Sequence, residues 1–144
     1  MKKTVLIADD VPFVRKTLTD ILTKAHFQVI GEASDGKQAV DLFKKLRPDV
    51  VTMDIVMPVM SGIEATKAIM SHDKDAKVVI LSAMGQENLV MDAINVGAKD
   101  FILKPFTTEE ILRTLDRAIR GEERTSGIGG KSASSNNSTS GART

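Results

Sequence analysis

Short apolar runs alternate with stretches whose apolar positions recur every three or four residues. Val5-Leu6-Ile7-Ala8 stops abruptly at Asp9-Asp10, as a buried parallel strand does. Pro12 suits the first turn of a helix, and Phe13, Val14, Leu18, Ile21 and Leu22 follow at helical spacing. Gln28 to Ala33 reads as a second strand and Asp35-Gly36 as the turn after it. Ala39, Val40, Leu42, Phe43 and Leu46 predict a second helix, stopped by Pro48. Val50, Val51 and Met53 form a third strand ending at Asp54, and a helix carrying Ile63, Ala65, Ala68, Ile69 and Met70 follows Gly62. Val78 to Leu81 is a fourth strand ending at Ser82. Leu89, Val90, Ala93, Ile94 and Val96 form the next helix, closed by Gly97. Phe101-Ile102-Leu103 ends at Lys104-Pro105, and Thr107 or Thr108 caps a last helix lined by Ile111, Leu112, Leu115, Ala118 and Ile119. Strict strand–helix alternation predicts an α/β fold: a five-stranded parallel sheet with helices on both faces.

The pattern ends near Gly121. Residues 122–144 hold nine Ser/Thr and four Gly, with Ile128, Ala133 and Ala142 as their only aliphatics. Such a stretch buries too little apolar surface to offset its ordering entropy. The expected organisation is one domain over 1–121 and a disordered tail over 122–144. Two motifs in the tail are accidents of composition. Gly130-Lys131-Ser132 lacks the first glycine of a phosphate-binding loop, because position 125 is Thr125. Asn136 and Asn137 open glycosylation sequons, but the apolar run at Val5–Ala8 is too short for a secretion signal.

The balance of 20 basic and 19 acidic residues, net charge +1, is no footprint of nucleic-acid binding. Five Phe with no Trp or Tyr also leave few platforms for stacking bases. No apolar run reaches the roughly 20 residues of a membrane span. The absence of cysteine excludes disulfides and thiolate zinc sites. A cytoplasmic protein with neither nucleic acid nor membrane as partner is the expectation. His26 at a helix end and His72 in a loop are expected to be solvated.

Ligand sites in parallel sheets lie outside the carboxyl ends of the strands, where strand order reverses. At those ends stand Asp9 and Asp10, Asp54, Ser82 and Lys104. One Asp after a strand is usually a turn former or helix cap. Four of five strands ending in polar groups that can converge is a different matter. Three neighbouring carboxylates repel one another and become tolerable around a hard divalent cation. Mg²⁺ takes oxygen ligands and accepts one or two carboxylates together with phosphate oxygens. One carboxylate can then act as a nucleophile toward phosphorus, with Lys104 and Ser82 holding phosphoryl oxygens.

The stretches LIADD, VTMDIVMPVMSG, ILSAMG and FILKPF resemble the receiver domains of two-component response regulators, in order and with similar spacing, over about residues 3–121. TMDI, SAMGQ and GAKDFILKPF are most similar to stand-alone chemotaxis regulators of the CheY type. The resemblance implies a flavodoxin-like fold with strand order 2-1-3-4-5. That is the documented order of CheY itself, so it comes here from likeness and not from the pattern. It further implies Asp54 as phosphoacceptor, and Asp10, Asp54 and the Val56 backbone carbonyl as Mg²⁺ ligands, with Asp9 acting through water or as a partner. Ser82 and Phe101 match switch positions, Lys104 matches the family lysine, and the Lys104–Pro105 bond resembles one that is cis in the family. Ser61 and Phe101 depart from more common residues without removing a site group.

The implied function is a signalling protein phosphorylated by a histidine kinase, of CheA type. It would change partner binding over roughly residues 86–119, the fourth helix, fifth strand and fifth helix. Chemotaxis control through a flagellar motor switch protein is the expected output, with a phosphatase as a further partner. The alternative is a phosphorelay intermediate or a regulator of a non-motility effector. An aspartyl-phosphate phosphatase would want a second acid two residues after the nucleophile, where Val56 stands. A scaffold that has lost phosphorylation would not need the intact set Asp9, Asp10, Asp54, Ser82 and Lys104. The chain is therefore no turnover enzyme; it would catalyse only its own phosphorylation and slow dephosphorylation.

Overall fold

The computed structural model describes residues 2–122. The chain runs β1 (Thr4–Ala8), α1 (Pro12–Lys24), β2 (Gln28–Ala33), α2 (Gly36–Leu46), β3 (Val50–Asp54), α3 (Gly62–His72), β4 (Val78–Ala83), α4 (Glu87–Asn95), β5 (Asp100–Lys104) and α5 (Thr108–Arg120). All strand pairs are parallel, and the sheet order is β2-β1-β3-β4-β5, the expected flavodoxin-like order.

Each central strand is apolar on both sides because helices cover both faces. Side chains of a strand alternate between faces, so consecutive residues enter different cores. Leu6, Ala8, Val51, Met53, Val78 and Ile80 join Ala39, Phe43, Ala65, Ile69 and Ala93 under α2, α3 and α4. Val5, Ile7, Val50, Val79, Leu81 and Ile102 join Leu18, Leu22, Ile111, Leu115 and Ala118 under α1 and α5. The strands are thus fixed in register by two cores at once, and their ends are held to a common rim.

The helix boundaries follow from local chemistry. Pro12 opens α1, where its missing N–H is harmless. Ser61–Glu64 and Thr107–Glu110 form reciprocal capping boxes at α3 and α5. Asp35 caps α2 by accepting the Gln38 N–H, so the expected Asp35-Gly36 turn is the entry into the helix itself. Past α4, Val96 is the cap residue, and Gly97 supplies the positive φ, 122°, that ends the helix. His72 is the exposed last residue of α3 and not a loop residue; its ring meets Phe43 edge-on. Glu122 is the only residue of the expected tail among those described, so the tail assignment lies outside the described residues.

Buried polar groups away from the rim also have physical roles. Asp100, 3% exposed, pairs with Arg117 at 3.1 Å and ties the start of β5 to α5. Thr66 returns its hydroxyl to the Gly62 carbonyl within α3.

Candidate functional site

In this sheet order the chain direction of assembly reverses between β1 and β3, and a crevice opens at their carboxyl ends. Asp9 and Asp10 follow β1, and Asp54 ends β3. Their carboxylates converge: one oxygen from each lies within 4.8 Å of the others. Lys104, at the end of β5, crosses the rim to reach Asp9 Oδ2 at 3.0 Å and Asp54 Oδ1 at 3.4 Å. The groups that sequence places at the ends of β1, β3 and β5 therefore meet.

The three acids are not equivalent. Asp9 is 1% exposed and fully engaged: its Oδ1 accepts the Val11 N–H at 2.9 Å and its Oδ2 accepts Lys104. Asp10 is exposed. Asp54 lies between them in character, with its side chain 12% exposed. Its Oδ1 accepts the Ile55 N–H at 3.0 Å and faces Lys104, and Oδ2 makes no hydrogen bond among the described residues. Burial and the neighbouring charge of Asp9 push the Asp54 carboxyl from 3.8 up to about 6, against the pull of Lys104. Burial alone would lower the pKa of the Lys104 ammonium. The Asp9 hydrogen bond and the charges of Asp54 and Asp9 outweigh it and leave that pKa raised.

One ammonium facing three carboxylates leaves a net negative, partly desolvated pocket. That imbalance, with all-oxygen donors and no sulfur, suits a hard divalent cation such as Mg²⁺. Val56 lies two residues past Asp54 in the β3–α3 loop, exposed between the buried side chains of Ile55 and Met57. Ser82 is fully buried, one residue beyond Leu81, the register partner of Asp54. Its Oγ has no hydrogen-bond partner among the described residues. A buried hydroxyl without a partner costs free energy, and Thr52 Oγ1 on β3 is in the same condition. Phe101 is half-buried and pairs with Ile80, on the sheet face that carries Ser82. The Lys104–Pro105 bond is cis.

The chain matches the response regulator receiver domain over residues 5–116. It belongs to that family. The chemotaxis protein CheY of Thermotoga maritima is 52% identical over 120 residues, covering 83% of this chain and all of the relative. CheY of Bacillus subtilis is 47% identical over 119 residues, 83% of this chain and 99% of the relative. Among solved structures, the CheX–CheY–BeF3–Mg complex from Borrelia burgdorferi superposes with a TM-score of 0.75 at 43% identity, covering 78% of this chain and 86% of that one. This receiver domain is a signalling module of a two-component system. No described helix is long and apolar enough to cross a membrane.

Sequence reasoning missed the groups that hold the rim in place. Arg15, one turn into α1, donates to the Asp9 carbonyl at 2.7 Å and to Glu32 at 3.0 Å. It fastens the β1–α1 turn to β2. Its signal in the sequence is a single Arg on a helix, indistinguishable from any surface cation. At Gly62 an added Cβ would lie 1.9 Å from the Asp54 carbonyl, so only glycine lets α3 start against the end of β3. Gly62 was legible only as a helix start.

Proposed function

We propose that this receiver domain is a phosphorylation switch in which Asp54 accepts a phosphoryl group from a histidine kinase. The observation that carries the reading is the distinct state of Asp54 among three converging acids. Asp9 has both oxygens committed and no route to solvent. Asp54 has one oxygen held by Ile55 and Lys104 and the other, Oδ2, unengaged at a partly exposed rim. With a carboxyl near 6 it is ionised at neutral pH, yet poorly solvated, so it retains nucleophilic character. Oδ2 attacks phosphorus, the bond to the donor's leaving atom breaks, and an acyl phosphate forms. Mg²⁺, when bound, neutralises the charge that the phosphoryl oxygens bring to the pocket. Asp10, Asp54 and the Val56 carbonyl would hold it, with Asp9 behind them. Lys104 moves from pairing two carboxylates to pairing a phosphoryl oxygen, and Ser82 Oγ supplies a hydrogen bond to another.

The readout follows from the same residues. Drawing Ser82 toward the phosphoryl group vacates space on its sheet face, and Phe101 is the neighbouring aromatic that fills it. A local polar event thereby biases a packing element of two states. The surface that senses it is α4–β5–α5, where Met91 and Leu103 are exposed apolar residues, 54% and 42%. The names of the relatives support chemotaxis as the output; a CheA-type kinase, a flagellar motor switch protein and a phosphatase are the partners that reading calls for. The test is intact-mass spectrometry after exposure to acetyl phosphate and Mg²⁺. The wild-type chain gains one phosphoryl group, and Asp54→Asn gains none; labelling of Asp54→Asn at the wild-type level would remove Asp54 from the role.

A further inference from the structure

The β3–α3 loop does not hold its shape by itself. Its base is closed by the Gly62 N–H on the Ile55 carbonyl at 2.7 Å. At its tip the Met60 N–H reaches back to the Pro58 carbonyl at 2.7 Å, a three-residue turn around Val59 at φ 70°. A β-branched residue rarely enters that region. Val59 is 78% exposed, so its own side chain packs too little to enforce the conformation. Such backbone strain persists only where the surroundings over-determine it.

Met57 and Met60 pack on the core, and the hold on the backbone of the loop tip comes from α2. The Gly36 N–H donates to the Met60 carbonyl at 3.1 Å. The contact is so close that a Cβ on Gly36 would lie 2.1 Å from that oxygen and 2.8 Å from its carbon. Both atoms are backbone, so no side-chain rotation relieves the clash. Asp35 and Gln38 fix the start of α2 and thus the direction of this amide.

We propose that Gly36 is a positioning residue for the cation site: by clamping Met60 it holds the loop that presents the Val56 carbonyl beside Asp54. The inference rests on the reading of Asp10, Asp54 and Val56 as Mg²⁺ ligands. Gly36 touches none of them and acts through the backbone between Met60 and Val56. Any other residue at 36 must widen the contact from 2.1 Å to the 3.4 Å of ordinary packing. Even a fraction of that displacement, passed along the loop to Val56, is more than the near-ideal octahedral shell of Mg²⁺ accepts.

The test is a calorimetric titration of the full chain with MgCl₂, comparing wild type, Asp10→Ala, Gly36→Ala and Gly97→Ala. Gly97→Ala is the structural control: its φ of 122° and a Cβ 2.6 Å from Met70 Cγ strain the fold at the other end of the sheet, away from the cation site. Gly36→Ala should weaken Mg²⁺ binding about tenfold, the lower end of what loss of a supporting group costs a metal site. Gly97→Ala should lose thermal stability and keep wild-type affinity. If wild type binds Mg²⁺, Asp10→Ala weakens it and Gly36→Ala does not, the clamp is refuted and the site stands. If wild type takes up no Mg²⁺, the site reading itself fails and the clamp falls with it.

Wild type alone supplies a second measurement should Gly36→Ala fail to fold. Linkage is reciprocal, so Mg²⁺ should slow hydrogen exchange of the Gly36 amide more than that of Gly97, which bonds the Ile94 carbonyl. Equal slowing of both amides reports only global stabilisation and overturns the proposal.

Discussion

Asp54→Asn should make the metal-free protein more stable at neutral pH. The folded carboxyl titrates at about 6 against 3.8 for the free group. Burial and Asp9 therefore penalise the ionised form by more than Lys104 favours it. A raised folded pKa means that the native state binds more protons than the unfolded state between these two values. Stability is then lost as pH rises from about 4 to about 6. Two pKa units correspond to roughly 3 kcal/mol. Solvent reaches this rim and screens the interaction, so ~1–2 kcal/mol is the realistic size. Asparagine keeps the shape and removes the charge. Urea denaturation in EDTA should place Asp54→Asn above wild type by that amount at pH 7.5, with the gap closing toward pH 4. Saturating Mg²⁺ should stabilise wild type and leave Asp54→Asn nearly unmoved. A variant no more stable than wild type at pH 7.5, or a gap independent of pH, would refute the electrostatic account of the pocket.

Lys104→Met should do the opposite, because it leaves Asp9, 1% exposed, without its cation. Denaturation at pH 7.5 should show a loss of ~2–3 kcal/mol, less than for a fully buried pair because Lys104 is 24% exposed; no loss would mean that the Asp9–Lys104 pair contributes nothing. Ser82→Ala should still take a phosphoryl group on Asp54 but lose the phosphorylation-dependent gain in partner affinity. A typical coupling of about 1–3 kcal/mol would appear as a several-fold to hundredfold difference in a binding titration, and a full wild-type gain would contradict the switch. Val56 and Met84, 58% and 79% exposed, cannot orient a water by hydrogen bonding. Replacing both with Asn should therefore speed loss of the phosphoryl group in a mass-spectrometric time course, and equal or slower loss would count against that reasoning.

The fold was legible because each structural requirement leaves a local mark. Strands covered on both faces must be nearly continuously apolar: Val78–Leu81 is wholly so, and Val50–Met53 is broken only by Thr52. Amphipathic helices must repeat every three to four residues, and the Ile111–Leu115–Ala118 stripe does. The acids were legible because a parallel sheet sends all its strand ends to one rim. Strand order was not legible from the pattern, since nothing in a strand's own residues names its neighbours; it came from likeness. The supports of the site were equally hidden. Arg15 finds the Asp9 carbonyl and Glu32, and Arg117 finds Asp100, through tertiary contacts with no local signature. His72 was misplaced because α3 runs two residues past Met70, its last clear apolar position, where the sequence pattern gives no signal. Gly36 reads as an ordinary Asp-Gly turn until α2 is seen against Met60.

The central claim is that one carboxylate of three becomes an acyl phosphate. Borohydride reduction of the phosphorylated chain converts an aspartyl phosphate to homoserine, and peptide sequencing by tandem mass spectrometry locates it. The account predicts homoserine at position 54 and intact aspartate at Asp9 and Asp10. Homoserine at either of those positions, or at none, would contradict it.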